Sequence, residues 1–439
     1  MKLTSSYTIE LKHINKILND TVKIYREALV FLIDVFHSEW EDLYLIKNKQ
    51  ERAMYAEKLI HNTKNNIAKY DFDSKFYKMP SYLRRDLTNT ALGIVSSYKT
   101  NLKNWEKSKQ TTNKPVLQTK HFAMPVFYRD NMYIQDSDYT CKLKLFYKND
   151  WVWVSVKMLK TDVNYLKKYW SHVKASAPKL EKKHKKWFLR FAFTEDVALN
   201  ETITKEQIIC SVDLGINTAA TCSIMLSDGT VAARKFIDFA AEKDHLGHVL
   251  NRIKRKQREH GSQSVHSFWK YATRLNKELS KKVSLEIVSF AFEYMTDVIV
   301  FEYLDMNGKI FGSKKQKLHL WKKQYIQKLV AHKAHRIGMR VAKVNARNTS
   351  KLAFDGSGEV IRNKKNYSIC TFQSGKIYNC DLSASYNIGA RYFIRELLKP
   401  LSEKVRSEIW AKVPESQRRT TCTLDTLKKV NKVLEFSVS

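Results

Sequence analysis

Three acidic residues stand out because each lies at the junction of two predicted elements. Asp213 ends an apolar run, and Gly215 follows and lets the backbone turn so that the carboxylate can face a cleft. Glu302 ends the apolar run 298–301 in the same way, and Asp381 directly precedes a predicted helix. The pattern therefore places three carboxylates at the ends of separate strands and helices.

Carboxylates that converge from separate elements suit phosphodiester hydrolysis. That reaction uses hard oxygen ligands to hold two Mg²⁺ ions about 3.5 to 4 Å apart, one activating water and the other stabilising the leaving oxygen. Taken singly, each residue also fits a structural role: Asp213 a turn residue, Glu302 a solvated strand terminus, and Asp381 a helix N-cap. The three together, in this order and context, favour the hydrolytic site.

The elements that would position these residues begin with a helical segment. The low counts of Gly and Pro, 12 and 6, favour long helices joined by few tight turns. Apolar residues at three- and four-residue steps predict an amphipathic helix over residues 13–36, and more helix follows to about residue 105. The polar segment 107–115, which ends in Pro, is the predicted domain boundary.

After this boundary, apolar residues recur at about every second position instead of every third or fourth, which indicates a β-rich segment. Residues 141–145 and 151–156 alternate on either side of an Asn-Asp turn, which predicts a hairpin, and residues 187–193 predict another strand. The short run 7–11 could pair with these strands. The helical block would then be an insertion into a β domain.

The remainder of the chain has an α/β order. Strands are predicted at 208–214, 222–226 and 231–236, followed by a long charged helical stretch at 246–295. Next come strand 298–301, a basic helix at about 318–337, strand 340–344 and a helix at about 382–398. This order is consistent with a mixed sheet covered by helices.

The composition indicates the kind of partner. The chain of 439 residues carries 78 Lys and Arg against 44 Asp and Glu, a formal net charge of +34. Its length predicts about two to four domains with real cores, which excludes wholesale disorder. The excess of positive charge points to a polyanion, with nucleic acid ahead of a membrane surface.

Neither a membrane anchor nor a secretory signal is predicted. The longest apolar run near the amino terminus, residues 28–33, is far shorter than the roughly 20 residues that a span needs. The first seven residues lack an apolar core followed by small residues. Six scattered Cys residues read as free thiols in a reducing compartment. We therefore expect a protein that stays inside the cell.

Three segments resemble the RuvC nuclease motifs of the TnpB proteins and of compact type V CRISPR effectors: VDLGIN at 212–217, VFEYLD at 300–305 and DLSASYNIG at 381–389. The spacings, 89 residues from Asp213 to Glu302 and 79 from Glu302 to Asp381, suit that family. The segment 338–351 looks like the strand and Thr-Ser element before the family's zinc ribbon. The motifs are specific over residues 207–395, and the amino-terminal half matches only in general layout.

The resemblance implies a multidomain α+β fold. It would comprise a helical recognition domain, a β-barrel-like wedge domain and an RNase H-like (RuvC) α/β nuclease domain with a helical insertion. The implied boundaries are residues 1–12 and 112–205 for the wedge, 13–111 for the recognition domain, 206–245 and 296–399 for RuvC, 246–295 for its insertion, 350–380 for a degenerate zinc-ribbon-like segment and 400–439 for a tail.

The resemblance also implies a place, the cytoplasm of a prokaryote in association with the nucleoid, and an activity. In this family a guide RNA is held by the wedge and recognition domains, a short flanking motif licenses opening of the double-stranded target DNA, and RuvC cuts with two metal ions. Asp213, Glu302 and Asp381 would be the catalytic residues and the Mg²⁺ ligands, with Mn²⁺ able to replace Mg²⁺. The guide's origin, a transposon end or a CRISPR array, stays open, as does the choice between monomer and homodimer on one RNA.

The zinc ribbon is where the sequence departs from the family pattern. Where the first Cys-x-x-Cys knuckle should follow Lys351, the chain has residues 352–356 with no Cys. At the second, Cys370 lacks its partner near Ser374, and Cys380 abuts Asp381. A tetrahedral zinc site needs four ligands, so we predict no structural zinc and packing roles for Cys370 and Cys380.

Basic clusters are the second signal for nucleic acid. Such runs suit phosphate contacts, which supply affinity and salt dependence but little sequence information. Any one of them could instead be a solvated face. The predicted nucleic-acid-binding residues are Lys182, Lys183, Lys185, Lys186, Arg252, Lys254, Arg255, Lys256, Arg258, Lys314, Lys315, Lys322 and Lys323.

Two alternatives to an RNA-guided DNA endonuclease stay open from the sequence. The first is a nuclease-inactive, RNA-guided DNA-binding repressor, against which the intact triad argues. The second is a DDE-type transposase that acts without RNA. The RuvC-like sequences of the three motifs and the large amino-terminal half, expected to bind nucleic acid, argue against a transposase.

Overall fold

The structure is a computed structural model that describes residues 1–12, 14–108, 113–118, 122–128, 130–215, 218–261, 265–303, 322–363 and 365–436. The chain forms two compact units, one of residues Lys2–Glu195 and one of Asp196–Ser439 together with Met1. Helices and sheets occur in both units. The predicted multidomain α+β class is therefore confirmed.

The first unit contains a six-stranded sheet. Its strand order is β2-β3-β4-β1-β6-β5, with antiparallel pairing of β1 to β4, β2 to β3, β3 to β4 and β5 to β6. The predicted hairpin is formed by β3 and β4, and the amino-terminal run does pair with it, since Leu11 lies opposite Met158. The strands are β1 Lys2–Lys12, β2 Tyr133–Gln135, β3 Thr140–Tyr147, β4 Asp150–Met158, β5 Lys179–Lys183 and β6 Lys186–Asp196.

Two hairpin turns of this sheet have the same backbone geometry. Lys148 and Asn149 link β3 to β4 with φ values of 50° and 60°, and His184 and Lys185 link β5 to β6 with 46° and 67°. Paired positive φ values are typical of type I′ turns, whose twist matches that of the flanking strands. Lys185 thus projects from the tip of a tight hairpin.

Helices are inserted between β1 and β2, as predicted. Buried Leu18, Leu29 and Leu32 recur along one side of α1, the amphipathic pattern seen in the sequence. Helices and sheet share one hydrophobic core, and the Phe146 N–H donates to Thr21 Oγ1 over 3.0 Å. The helices of this unit are α1 Asn15–Ser38, α2 Trp40–Leu45, α3 Lys49–Ile60, α4 Phe72–Lys75, α5 Ser81–Lys107 and, after β4, α6 Lys160–Trp170.

The second unit is built on a five-stranded mixed sheet of order β11-β10-β7-β8-β9. Strands β7, β8 and β9 form an antiparallel meander, while β10 runs parallel to both β7 and β11. The mixed sheet predicted from the element order is thus observed. Its strands are β7 Ile208–Asp213, β8 Ala220–Leu226, β9 Val231–Ile237, β10 Val298–Tyr303 and β11 Arg340–Asn345.

Helices cover both faces of this sheet, which explains why its central strands are almost wholly apolar. Alternate residues of β10 point to opposite sides: Val298 and Val300 join one core, and Ile299 and Phe301 join the other. Helices α8 His266–Glu293 and α9 Lys323–Arg336 pack on the second side. Helix α10 Cys380–Leu398 packs on the first.

The remaining helical parts of this unit precede α8 or follow α10. The stretch predicted at 246–295 consists of α7 Ala240–His260 and α8, which share a small core of their own around Leu250 and Ile253. The tail contains α11 Glu403–Lys412, a 3₁₀ turn at Pro414–Gln417 and α12 Leu424–Phe436, so the partly helical tail is confirmed. No described helix is long and apolar enough to cross a membrane.

Helix α10 approaches the sheet closely because small residues line the contact. A Cβ on Gly389 would lie 2.9 Å from Met225 Sδ and 3.2 Å from Ser211 Oγ. The hydroxyls of Ser223 and Ser385 are 2.6 Å apart, joining the sheet to the helix. The distance between α10 and the sheet therefore depends on side-chain size at these positions.

We expect Gly389→Val to destabilise the unit of residues Asp196–Ser439 by about 1 to 3 kcal/mol, because the added methyl groups overpack this contact. Calorimetric unfolding of the full chain measures the effect. The control is Gly93→Val inside α5, where an added Cβ meets nothing within 4 Å. It should be nearly neutral or slightly stabilising. Equal unfolding temperatures for the two variants would contradict the close approach.

Candidate active site

Asp213 and Glu302 lie side by side at the ends of two parallel strands. Val212 of β7 is paired with Phe301 of β10, so the next residue of each strand is one of the two acids. Neighbouring strands are about 4.8 Å apart. Because residues two apart share a face, Glu302 projects to the same side as Val300, which is the side covered by α10.

Asp381 reaches the same region from the start of α10. The N-cap of this helix is Asn379, whose Oδ1 accepts the Leu382 N–H over 2.9 Å. Asp381 is therefore inside the first turn and does not cap the helix. Its carboxylate lies at the positive end of the helix dipole, where a negative charge is favoured.

The three carboxylates are close enough to affect one another. Burial raises the pKa of Asp213 well above its usual range, and the charges of Glu302 and Asp381 raise it further. Burial also raises the pKa values of Glu302 and Asp381. The sequence prediction that these residues converge thus agrees with their positions and with their electrostatics, and Glu302 is not a solvated strand terminus.

Several basic groups partly offset this concentration of negative charge. Arg362, on a short strand β12 Ile361–Arg362, lowers the pKa values of Asp213 and Asp381. Arg391 and Lys323 act in the same direction on Glu302. The sequence predicts Lys323 to bind nucleic acid and assigns no site role to Arg362 or Arg391, because no local pattern of residues links these cations to the acids.

Glu302 is oriented by its neighbours. Thr349 Oγ1 donates a hydrogen bond to Glu302 Oε1, and Gln327 Nε2 donates to the Glu302 carbonyl over 3.0 Å. Thr349 is itself held by α10, because Asn387 Nδ2 donates to its carbonyl over 3.0 Å. The Thr-Ser element noted in the sequence therefore positions a carboxylate, a role that its local pattern did not indicate.

The three carboxylates are chemically suited to Mg²⁺, although their side chains do not converge on one metal position. Among the described residues, no group of three or more His, Cys, Asp or Glu side chains is placed to hold one metal ion. Three carboxylates supply the hard oxygen atoms that Mg²⁺ prefers. Burial is the main reason that their pKa values are raised, and a divalent cation would favour their ionised form. The chemistry of the donor set thus suits Mg²⁺, and its binding stays a prediction.

The first basic cluster, on β5 and β6, is largely engaged within the protein. Lys182 Nζ donates to Asn19 Oδ1 over 2.8 Å and lies 4.7 Å from the Trp187 ring centroid. Lys183 pairs with Glu181 and Lys186 with Glu10, each at 3.0 Å. Lys185 is exposed at the hairpin tip. Nucleic-acid binding by this cluster stays a prediction.

The second cluster, on α7, is more open. Arg252 and Lys256 lie over the Phe268 ring, at 5.1 and 5.9 Å from its centroid. Arg255 is 3.9 Å from Glu259. Lys254 and Arg258 are exposed and make no ion pair with a described residue.

The third cluster is divided by the limits of the described residues. Lys314 and Lys315 lie outside them, and Lys322 is the residue before α9. Lys323 is buried, with 5% of its surface exposed, and burial lowers its pKa while the charge of Glu302 raises it. Lys323 therefore belongs beside the carboxylates rather than to an exposed basic run.

Cys370 and Cys380 are packed as predicted. Both are buried in a small core with Ala353 and Phe372, between the α10 start and a three-stranded sheet of β12, β13 Ile369–Thr371 and β14 Ile377–Asn379. Burial and a hydrogen bond to Cys380 raise the pKa of Cys370 to about 12. The predicted lack of zinc stays a prediction.

The overall fold is similar to that of a solved CRISPR effector. The Cas12f1–sgRNA–target DNA complex matches with a TM-score of 0.54 and 13% sequence identity, covering 85% of this chain and 81% of that one. The chain is similar in fold to a Cas12f effector. The resemblance to compact type V effectors predicted from the motifs is therefore confirmed at the level of the fold.

Other comparisons give weaker matches. Alicyclobacillus acidoterrestris C2c1 in complex with single-guide RNA has a TM-score of 0.44 and 8% identity over 87% of this chain and 70% of that one. CasPhi-2 (Cas12j) bound to crRNA and phosphorothioate-DNA has a TM-score of 0.43 and 9% identity, covering 89% of this chain and 91% of that one. The model of the Aq_aa04 family matches residues 4–147. No curated protein sequence matches.

We expect Asp213→Asn to stabilise the metal-free protein at neutral pH. Burial raises the folded-state pKa of Asp213, so the charged form destabilises the fold, and this loss grows as pH rises from the unfolded value near 3.8 through the folded value. Each pKa unit corresponds to about 1.4 kcal/mol. The unfolding temperature should therefore rise by roughly 2 to 4 °C per kcal/mol.

Thermal unfolding in EDTA at pH 5 and pH 7.5 measures this effect as the difference between variant and wild type. The difference should be larger at the higher pH. Asp244→Asn, on the exposed side of α7, is the matched control and should change neither temperature. An Asp213→Asn variant no more stable than wild type at pH 7.5 would contradict the electrostatic account.

Proposed function

We propose that this protein is an RNA-guided DNA endonuclease of the TnpB and miniature type V CRISPR effector type. The observation that carries the proposal is the convergence of Asp213, Glu302 and Asp381 at one end and one face of a mixed sheet, where each resists ionisation. Such a concentration of partly buried carboxylates is costly for folding, which favours a functional reason for it.

The proposed partners are a guide RNA and double-stranded target DNA with a flanking motif. The net charge of +34 supports polyanionic partners, and the similar Cas12f1 fold belongs to a protein solved with sgRNA and target DNA. Base pairing would supply sequence specificity, and the protein would contact backbone and shape. In this proposal the sheet and helices of Lys2–Glu195 serve as the wedge and recognition domains.

Asp213, Glu302 and Asp381 would together hold two Mg²⁺ ions, or Mn²⁺ in their place. When bound, these ions activate water and stabilise the leaving oxygen of a phosphodiester. Thr349 keeps Glu302 in position through its hydroxyl, and Asn387 keeps Thr349 in position. Arg362, which acts electrostatically on Asp213 and Asp381, places positive charge where the target phosphate would enter.

A nuclease-inactive, RNA-guided DNA-binding repressor is the second candidate. It is favoured by one observation: in the described part of the chain the carboxylates do not form a ready ligand group. The two candidates differ only in whether the carboxylates act on the bound target. Nothing in the described residues favours the DDE-type transposase.

Asp213→Ala should abolish cleavage of target DNA while guide RNA and target binding persist. The carboxylate would be lost from the ion-binding set, whereas the basic surfaces would be intact. Cleavage in Mg²⁺ and binding in EDTA are measured on the purified protein with its RNA. We expect a loss of at least about 10²-fold, on the scale seen when one essential electrostatic group is removed.

Glu408→Ala, an exposed carboxylate of α11, is the matched control and should cut like wild type. Undiminished cleavage by Asp213→Ala would mean that the site lies elsewhere. Wild-type protein that binds its guided target but never cuts in Mg²⁺ or Mn²⁺ would favour the repressor.

A second experiment tests the guide. The tagged protein, purified from cells that carry its native locus, should bring down one discrete structured RNA with a variable 3′ segment, which RNA sequencing identifies. The origin of that segment would separate a transposon from a CRISPR source. Heterogeneous RNA that salt removes would instead indicate nonspecific affinity from the net charge, and would contradict the guided class.

A further inference from the structure

The second unit contains a cavity that the proposed active site does not use. It has a volume of about 790 Å³ and lies between the ends of β10 and β11, the carboxyl half of α10, helix α11 and the 3₁₀ turn that follows. The carboxyl-terminal segment after residue 400 therefore builds one of its walls. The volume is within the range of pockets that hold small molecules or single nucleotides.

The wall of this cavity is strongly basic. Six cationic side chains line it, and Glu396 is its one carboxylate among the described residues. Glu396 is already paired with Arg395 over 2.7 Å. The cationic side chains are Lys343, Arg391, Arg395, Lys399, Arg406 and Arg419.

Only part of this positive charge is used by the fold. Arg391 donates to four main-chain carbonyls, and Arg395 donates to Glu396 and to the Lys343 carbonyl. Within the described residues, Arg406 and Arg419 form no ion pair. The cavity therefore keeps positive charge that an anion could neutralise.

Two buried donors in the wall lack acceptors. Arg406 Nε and Trp410 Nε1 are shielded from solvent and have no hydrogen-bond partner in the described part of the chain. They are four residues apart on α11 and so lie on one face of that helix. Buried donors are normally satisfied, and a ligand with acceptor atoms would satisfy these two.

The chemistry of the wall selects the ligand. Guanidinium and indole N–H groups are donors only, so they match the oxygen atoms of phosphate. Trp410 and the exposed ring of Tyr303 add aromatic faces on which a base can stack. Tyr303 directly follows Glu302 and is paired with Asn345, so the cavity begins beside the carboxylates.

We propose that this cavity binds a phosphate of a single-stranded nucleic acid, with Arg406 and Trp410 donating to its oxygens. A strand held there would extend toward Glu302. The inference rests on the proposed function only for the choice of a nucleic-acid strand as the ligand. It assigns a role in substrate binding to the carboxyl-terminal segment.

The test uses the full-length protein in EDTA, so that no cleavage takes part. A (dT)₁₂ oligonucleotide that carries one 5-iodo-2′-deoxyuridine is irradiated, and the cross-linked residues are mapped by mass spectrometry. We expect cross-links at Trp410 or Tyr303. Arg406→Met should reduce their yield roughly tenfold, the loss of about one charge-assisted contact. Arg418→Met, an exposed neighbour that does not line the cavity, should leave it unchanged.

Calorimetric titration with dTMP, thymidine and inorganic phosphate distinguishes the source of the phosphate. We expect dTMP to bind, to weaken in Arg406→Met and to compete with the cross-link, while thymidine does neither. Trp410→Phe, which keeps the ring but removes the N–H, is the second variant if Arg406→Met unfolds early. It should also weaken dTMP binding.

Three results would overturn the inference. Cross-links found only outside the cavity would do so, as would yields that do not depend on Arg406. Binding of dTMP or phosphate without any oligonucleotide cross-link would assign the cavity to a free phosphorylated molecule. None of these results bears on cleavage, so the carboxylate proposal would stand or fall separately on the Asp213 variant.

Discussion

The close packing of α10 against the mixed sheet is the constraint on which the rest of the second unit depends. Gly389 and Ser385 allow the helix to approach β7 and β8 within side-chain contact of Ser211 and Ser223. This approach carries the first turn of the helix, and Asp381 with it, to the ends of β7 and β10. Holding three partly buried carboxyl groups together opposes folding, so the apolar cores on both sides of the sheet must outweigh that cost.

The surroundings reduce this cost without removing it. Lys323 and Arg391 are both buried and both act on Glu302, while Arg362 acts on the other two carboxylates. Arg391 has its donors satisfied by main-chain carbonyls, so its positive charge is held in place without a carboxylate partner. The pKa values of the three acids therefore remain raised despite these cations. A bound cation would stabilise the ionised carboxylates better than water alone does at this site.

The distribution of positive charge differs from what runs of Lys and Arg suggest. The Lys-rich hairpin of β5 and β6 uses three of the four lysines of its predicted cluster in contacts with Asn19, Glu181 and Glu10. The lysine side chains of the two ion pairs are about half exposed, at 46% and 59%, and pairs at a surface contribute little to stability. The cavity beside α11 is different, because its charge comes from residues far apart in the sequence and part of it lacks partners within the protein.

The sequence by itself determined the order of the main helices and strands, the two larger sheets and the three acidic positions. These follow from local causes. The spacing of apolar residues distinguishes helix from strand, and Asp213, Glu302 and Asp381 each stand at the end of a predicted strand or the start of a predicted helix. Tertiary structure alone decided which residues surround those acids. Thr349, Arg362 and Lys323 reach the site from other elements, and α11 meets β11 and α10 around the basic cavity. Such contacts depend on how helices and strands pack in space, which no local pattern of residues specifies.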